Sequence, residues 1–245
     1  MKNRILHPQF VVRQIIRSRR QAVVLVLCVA LSIVTLISLN GFSASVHTSL
    51  LNDAKILHAA DIIIRSYQEI SPATTRSIRQ LEDQNQIVSN RVWEFYSVVR
   101  SQKGRNSVLA NLKIVQPGYP FYGQVRLKSG RKFDSVLSSG HIIVAQNLLD
   151  RLGLQVGDRL HVGSTTLTIS DVVLQEPDQP VNFFMLGPRI FLAAADIDRL
   201  DLVTKGSRVR HIYLIKVLDE TRIRPIADRI RMVADTEQEL SLIHI

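Results

Sequence analysis

Ala22-Val-Val-Leu-Val-Leu-Cys-Val-Ala-Leu-Ser-Ile-Val-Thr-Leu-Ile-Ser-Leu39 decides the architecture: 18 residues without a charge, glycine or proline, bracketed by Gln21 and Asn40. As a helix the run spans roughly 27 Å, close to the hydrocarbon thickness of a bilayer. Ser32, Thr35 and Ser38 are tolerable there, because a helical hydroxyl can bond back to a carbonyl one turn earlier. Spaced three apart, they also mark a small-residue face for a second helix. A buried helix of a soluble protein is the competing reading, and the neighbouring charge weighs against it. Lys2, Arg4, Arg13, Arg17, Arg19 and Arg20 crowd the first 20 residues with no acid among them, and supply most of the net charge of +10. A nucleic-acid binder spreads its basic stripe over a folded face; here the excess is piled against one end of the apolar run. Basic residues stay cytoplasmic, so Arg13, Arg17, Arg19 and Arg20 are expected to fix the topology, with everything after Asn40 outside.

A cleaved signal peptide, with Ser43-Ala-Ser45 as its cleavage site, is the sharper rival. Against it, the apolar segment exceeds the usual ~7–15 residues, and the basic region before it is long. A lipoprotein signal would need a small residue before Cys28, where Leu27 stands. Upstream, Phe10, Val11, Val12, Ile15 and Ile16 recur at helical spacing opposite Arg13, Gln14 and Arg17, which fits an interfacial helix or an inward extension of the span. Cys28 is the single cysteine, so packing rather than disulfides must hold the rest.

Beyond Asn40, Val46, Leu50, Ala54 and Leu57 keep helical spacing and read as an outward stalk. Asp61–Arg65 is then a first strand, and Ser71-Pro72 opens a helix with Ile78 and Leu81 inside. Two strands, Ile87–Val92 and Phe95–Arg100, precede a hairpin at Ser101–Asn106 and a returning strand, Val108–Val115. Pro117-Gly-Tyr-Pro120 and Gly123 are dense breakers and mark a boundary or long turn. Further on come a strand at His141–Ala145, a helix through Leu148, Leu149 and Leu152 ended by Gly153, and a turn at Gly157-Asp158. Arg159–Val162, a tight turn at Gly163-Ser164 and Thr165–Val173 make a hairpin, with Leu167 and Ile169 alternating against polar neighbours. Arg189–Ala193 is a strand leading to a helix capped at Asp196. His211–Val217 is another, before a helix with Pro225 in its first turn and Ile226, Ile230 and Val233 inside. The region is therefore α+β, readable as two small lobes.

Catalytic patterns are lacking: there is no phosphate loop, dinucleotide turn, His-Glu-x-x-His helix or nucleophile elbow. His141, His161 and His211 fall on separate strands, where exposed strand histidines are the default over a metal site. Asp196, Asp198 and Asp201 bunch at a helix start, where capping outweighs calcium binding. Tyr119, Phe121 and Tyr122 either plug the core beneath a turn or form an exposed patch for an apolar ligand. No enzyme activity and no cofactor or metal is expected.

Arg17-Ser-Arg-Arg20 before the span, Ala60-Asp61 opening the outer region, Pro117-Gly-Tyr-Pro-Phe-Tyr-Gly123 and Leu152-Gly-Leu-Gln-Val-Gly-Asp158 carry a resemblance over essentially the whole chain. With these features the chain resembles FtsX-like, MacB-type ABC transporter permeases. The motif turns are Pro117, Gly118, Tyr119, Pro120, Gly123, Gly153, Gly157 and Asp158. The resemblance implies a cytoplasmic segment (1–20), a span (21–40), a helical stalk (41–60), a porter-like lobe (61–118 and 203–240) and a sabre-like lobe (119–202). It implies a bacterial inner-membrane protein with a periplasmic domain, a cytoplasmic ABC ATPase, a second permease copy, contact with membrane lipid and no nucleic acid. Motion from ATP hydrolysis would reach the outer domain through the stalk, to export or extract a hydrophobic or lipid-like substrate. Three further spans of such permeases have no counterpart here, and the end at residues 240–245 is similar to translated adaptor read-through. A truncated reading frame with a foreign tail at 241–245 is therefore expected. A single-pass sensor and a membrane-anchored hydrolase are the alternatives; the first wants a cytoplasmic output domain and the second a nucleophile or metal pattern.

Overall fold

The structure, a computed structural model, describes residues 19–102, 106–177, 187–203, 208–234 and 239–242. It divides into two compact units, Met1–Asn52 and Asp53–Ile245. Helix α1 (Arg19–His58) begins in the first unit. Its stretch Val23–Phe42 is long and apolar enough to cross a membrane, and every side chain along it is exposed. The hydroxyls of Ser32 and Thr35 donate to the carbonyls of Cys28 and Leu31, each at 2.8 Å, so neither would meet lipid unsatisfied. Arg20 is exposed; Arg13, Arg17 and the apolar set from Phe10 to Ile16 lie outside the described residues.

The second unit is one mixed sheet with short helices. In chain order come β1 (Ile62–Ser66), α2 (Pro72–Asp83), β2 (Ile87–Ser101), β3 (Ser107–Val115), β4 (Arg126–Leu127) and α3 (Phe133–Val136). Next are β5 (His141–Ala145), α4 (Gln146–Leu152), β6 (Arg159–Val162), β7 (Thr165–Gln175), β8 (Arg189–Ala193), α5 (Ile197–Leu200), β9 (Arg210–Val217), α6 (Ile223–Val233) and β10 (Glu239–Leu242). The strand order is β10-β1-β9-β2-β3-β8-β5-β7-β4, and β6 pairs with both β7 and β2. The path β2-β3-β8-β5-β7-β6 therefore returns to β2 as a closed ring, which leaves those six strands without a free edge.

Three apolar clusters follow from this path. One gathers Phe95, Leu112, Ile142, Leu160, Ile169 and Ile190 from the six ring strands, with Leu148, Leu149 and Leu152 of α4. A second, on the other face, holds Ile63, Val92, Tyr119, Phe133, Phe191 and Leu214. The third packs α2 and α6 on β1 and β9 through Ile78, Leu81, Ile226, Ala227 and Ile230. Ser71 caps α2 by accepting from the Thr74 amide at 3.2 Å, with Pro72 in the first turn, as its sequence requires.

Several details differ from the sequence reading. Ile87–Ser101 is one strand rather than two. Val92 and Trp93 are adjacent and both buried, because β2 serves different cores along its length: Val92 faces the second cluster, Trp93 and Phe95 the first. Its first half pairs with β9 and its second with β3, so the alternation changes phase where the partners change. Asp196 does not cap a helix. It is fully buried and turns back to accept from the Ser139 hydroxyl at 2.6 Å and the Gly140 amide at 2.9 Å, tying that turn to α5. Val233 is 37% exposed at the end of α6, where Ala227 takes the inner position instead. β4 and α3 have no counterpart in the sequence reading. Residues 239–242 pair with β1 as the edge strand β10.

Candidate functional site

The motif loop Pro117–Gly123 is where residues distant in sequence converge. It leaves β3, carries a cis Tyr119-Pro120 bond and returns toward β4. Tyr119 is buried, with its ring centroid 6.1 Å from that of Phe133 and 6.3 Å from that of Phe191. Phe121 packs partly buried against the same cluster, so these two aromatics plug the core rather than form an exposed patch. Tyr122 has a different task. Its hydroxyl donates to Asp61 Oδ2 at 2.8 Å, and the same oxygen accepts from the Val217 amide at 2.9 Å. Asp61 is 1% exposed, separated from the end of α1 by Ala59 and Ala60. Two motif segments 61 residues apart thus meet through one hydrogen bond. Burial, and then the Asp61 carboxylate, push the Tyr122 phenol well above its ordinary pKa, so it stays a donor. The Lys216 ammonium lies 5.5 Å from the centre of the Tyr122 ring.

Beneath Tyr119 lies a buried group of charges set by strand register. Glu94 on β2 stands opposite Lys113 on β3 and, on its other side, opposite Arg210 on β9. Asn111, two residues before Lys113, stands opposite Arg189 on β8. The Lys113 ammonium is 3.5 Å from Glu94 Oε1 and 3.8 Å from Glu176 Oε2. Arg189 reaches Glu176 through Nε at 3.1 Å, and through Nη1 reaches Glu94 at 3.4 Å and donates to Asn111 Oδ1 at 2.8 Å. Lys113 is fully buried, and its ammonium also lies 4.8 Å from the centre of the Tyr119 ring. The motif tyrosine therefore roofs a compensated charge cluster, where desolvation makes every partner matter.

The other motif residues shape turns. Gly153 ends α4 in the left-handed region at φ 64°. The Gly157 amide donates to the Ile169 carbonyl at 2.8 Å, and Asp158 Oδ2 accepts from the Gln155 amide at 2.9 Å, so this turn is pinned to β7. Gly118 and Gly123 also hold positive φ, at 83° and 77°.

The three strand histidines sit apart. His141 Nδ1 is 2.8 Å from the Ser170 hydroxyl and His161 Nδ1 is 3.1 Å from that of Thr166. His211 is half-buried, and burial followed by the Arg91 charge holds its imidazole below the ordinary range. No cluster of three metal-ligating side chains forms among the described residues.

An open groove of about 780 Å³ runs beside the motif loop between Tyr119-Pro120 and the segment Gln124–Ser135. Its corner is held by Asp171, which accepts from the Ser129 hydroxyl, the Ser129 and Val172 amides at 3.3 and 2.8 Å, and Arg131 at 3.4 Å. Burial alone would raise the Asp171 pKa, but these donors outweigh it and hold the carboxyl below its usual range. A depressed pKa contributes stability that is present above the unfolded value, near ~3.9, and lost as pH falls through the folded value. Unfolding followed by Trp93 fluorescence should show an acid-side loss below about pH 4 that Asp171→Asn flattens. An unchanged acid limb in the variant would contradict that assignment.

The sequence model of the MacB-like periplasmic core domain matches residues 22–233, most of the chain. The protein belongs to this family. It is 29% identical over 188 residues to the uncharacterized ABC transporter permease YbbP of Escherichia coli K12, an alignment covering 76% of this chain and 22% of YbbP. The chain thus spans under a quarter of the length of that curated relative. The extracellular domain of the noncanonic ABC-type transporter YknZ from Gram-positive bacteria is similar over 74% of this chain and 99% of that one, at 12% identity and a TM-score of 0.48. Membership makes this a membrane protein with an extracytoplasmic domain from a permease family, with the α+β fold described above.

Proposed function

We propose that the chain is the first span and outer domain of an ABC transporter permease that couples ATP hydrolysis in a separate cytoplasmic subunit to movement outside the membrane. The observation that supports this reading is the Tyr122–Asp61 hydrogen bond, which ties the start of β1, just after α1, to the motif loop above the charge cluster. A displacement of β1 would pull on that loop through a buried, directional contact rather than through yielding surface. In this reading a second permease copy completes the assembly, and the substrate is hydrophobic or lipid-like. On the same reading residues 61–118 and 203–240 make the porter-like lobe, and residues 119–202 the sabre-like lobe. Tested in the permease that carries this region, together with the ATPase encoded beside it, Tyr122→Phe should lower export several-fold while ATP hydrolysis persists. Equal loss of both, or of neither, would reject coupling through this bond.

The orientation proposed is N-terminus cytoplasmic, supported by the basic residues before the span. Replacing Arg13, Arg17, Arg19 and Arg20 together by Glu should weaken or invert insertion. A reporter fused at Asn52 that remains extracytoplasmic in that variant would count against it.

A further inference from the structure

We infer that the groove beside the motif loop is a binding site for a small amphiphilic anion, an acidic head on an apolar body. Its floor is made by Pro120 and by the edges that the buried Tyr119, Val125 and Phe133 present to it, and its rim carries Arg126, Arg131 and Lys132. Arg131 is already held by Asp171 at 3.4 Å. Arg126 and Lys132 are exposed and, among the described residues, make no ion pair, so their charge is available to an incoming ligand. Among the described residues Asp134 is the one acid in the lining, outnumbered by Arg126, Arg131 and Lys132, so the rim favours an anion over a cation. At about 780 Å³ the groove is the size of a small-molecule site, in the range ~300–1,000 Å³, rather than of a protein interface. A polar anion alone would leave the floor unused, and a neutral apolar compound would leave two cations facing it; an amphiphilic anion answers both.

The rigidity of the site supports the same conclusion. The floor residues Tyr119 and Phe133 are locked edge-on at 6.1 Å, and the rim segment is pinned at Ser129 by Asp171. The groove is therefore formed before a ligand arrives, which reduces the ordering that binding must impose. As a site for the transported compound the inference rests on the permease reading, but the binding itself is read without any ATPase, so the two fail separately.

The full chain, embedded in phosphatidylcholine nanodiscs, is irradiated with a photoreactive medium-chain carboxylate and the labelled peptides are mapped by mass spectrometry. Labelling should concentrate between Tyr119 and Ser135, be displaced by an alkyl sulfonate, and exceed that by the matching photoreactive alcohol. Arg126→Gln with Lys132→Gln should raise the half-saturating concentration roughly tenfold, as expected for two solvent-exposed charge contacts. Both side chains are exposed, and Trp93 fluorescence reports whether the variant is folded; Arg126→Lys with Lys132→Arg, which keeps the charge, should retain labelling. Equal labelling by the alcohol, undiminished labelling of the neutral variant, or no label in this segment would each overturn the site.

Discussion

Lys113→Met is expected to destabilise the outer domain by about 3–5 kcal/mol, the range for removing one partner from a buried ion pair. Methionine keeps most of the volume, so the loss would come from charge rather than from a cavity. Lys113 is fully buried near the end of β3, with Glu94 opposite it and Glu176 3.8 Å away. Glu176 is itself buried, and among the described residues its Oε2 faces only that ammonium, too far for a hydrogen bond. Without Lys113, two carboxylates would share Arg189 and the half-exposed Arg210. Adding Glu176→Gln should recover much of the loss, because one acid then balances Arg189 again. The chain has a single tryptophan, Trp93, buried next to Glu94, so urea unfolding followed by its fluorescence reads this region directly. A single variant within about 0.5 kcal/mol of the parent would sink the claim, as would a double variant no better than the single.

This cluster also marks the limit of what the sequence discloses. Lys113 sits in a strand that alternates, and a lone lysine there reads as a solvent-facing residue. Its burial depends on Tyr119 and on β8 pairing beside β3 in parallel, which sets Phe191 opposite Lys113, a pairing between segments 78 residues apart at Asn111 and Arg189. Only register reveals that Glu94 lies between Lys113 and Arg210. Local chemistry, by contrast, was legible. Eighteen apolar residues announce α1, Ser71-Pro72 announces α2, and Leu167 and Ile169 announce the buried face of β7. The motif residues read as turns in the sequence, yet the bond from Tyr122 to Asp61 cannot be read there, since each residue alone has many partners available. Asp196 misleads for the same reason: an acid before a helix suggests a cap, until Ser139 and Gly140 are seen to claim its carboxylate. β2 misleads in another way, because a strand that changes cores breaks the period on which strand recognition depends.

Two glycines that look alike in sequence should differ widely when replaced. Gly153 and Gly163 hold nearly the same left-handed backbone, φ 64° and 57°, and each follows a regular element. At Gly153 a methyl group would meet nothing within 4 Å, so Gly153→Ala should cost only the left-handed backbone penalty, about 1–2 kcal/mol. At Gly163 the same methyl would stand 2.1 Å from the Leu200 carbonyl oxygen and 2.8 Å from Leu202 Cγ. The β6–β7 turn would have to lift away from α5. Lifting it would break the bond from the Ser164 amide to the Leu200 carbonyl, at 3.0 Å, and that from the Ser164 hydroxyl to the Arg199 carbonyl, at 2.8 Å. Gly163→Ala should therefore cost about 2–5 kcal/mol, the backbone penalty together with overpacking against main chain that cannot turn aside. The difference between the two variants isolates the steric part, since the backbone conformation is common to both. Equal shifts in the urea midpoint would mean that the turn yields freely. In that case β6, the strand that closes the six-stranded ring, would be held by its pairing with β2 and β7, without help from α5.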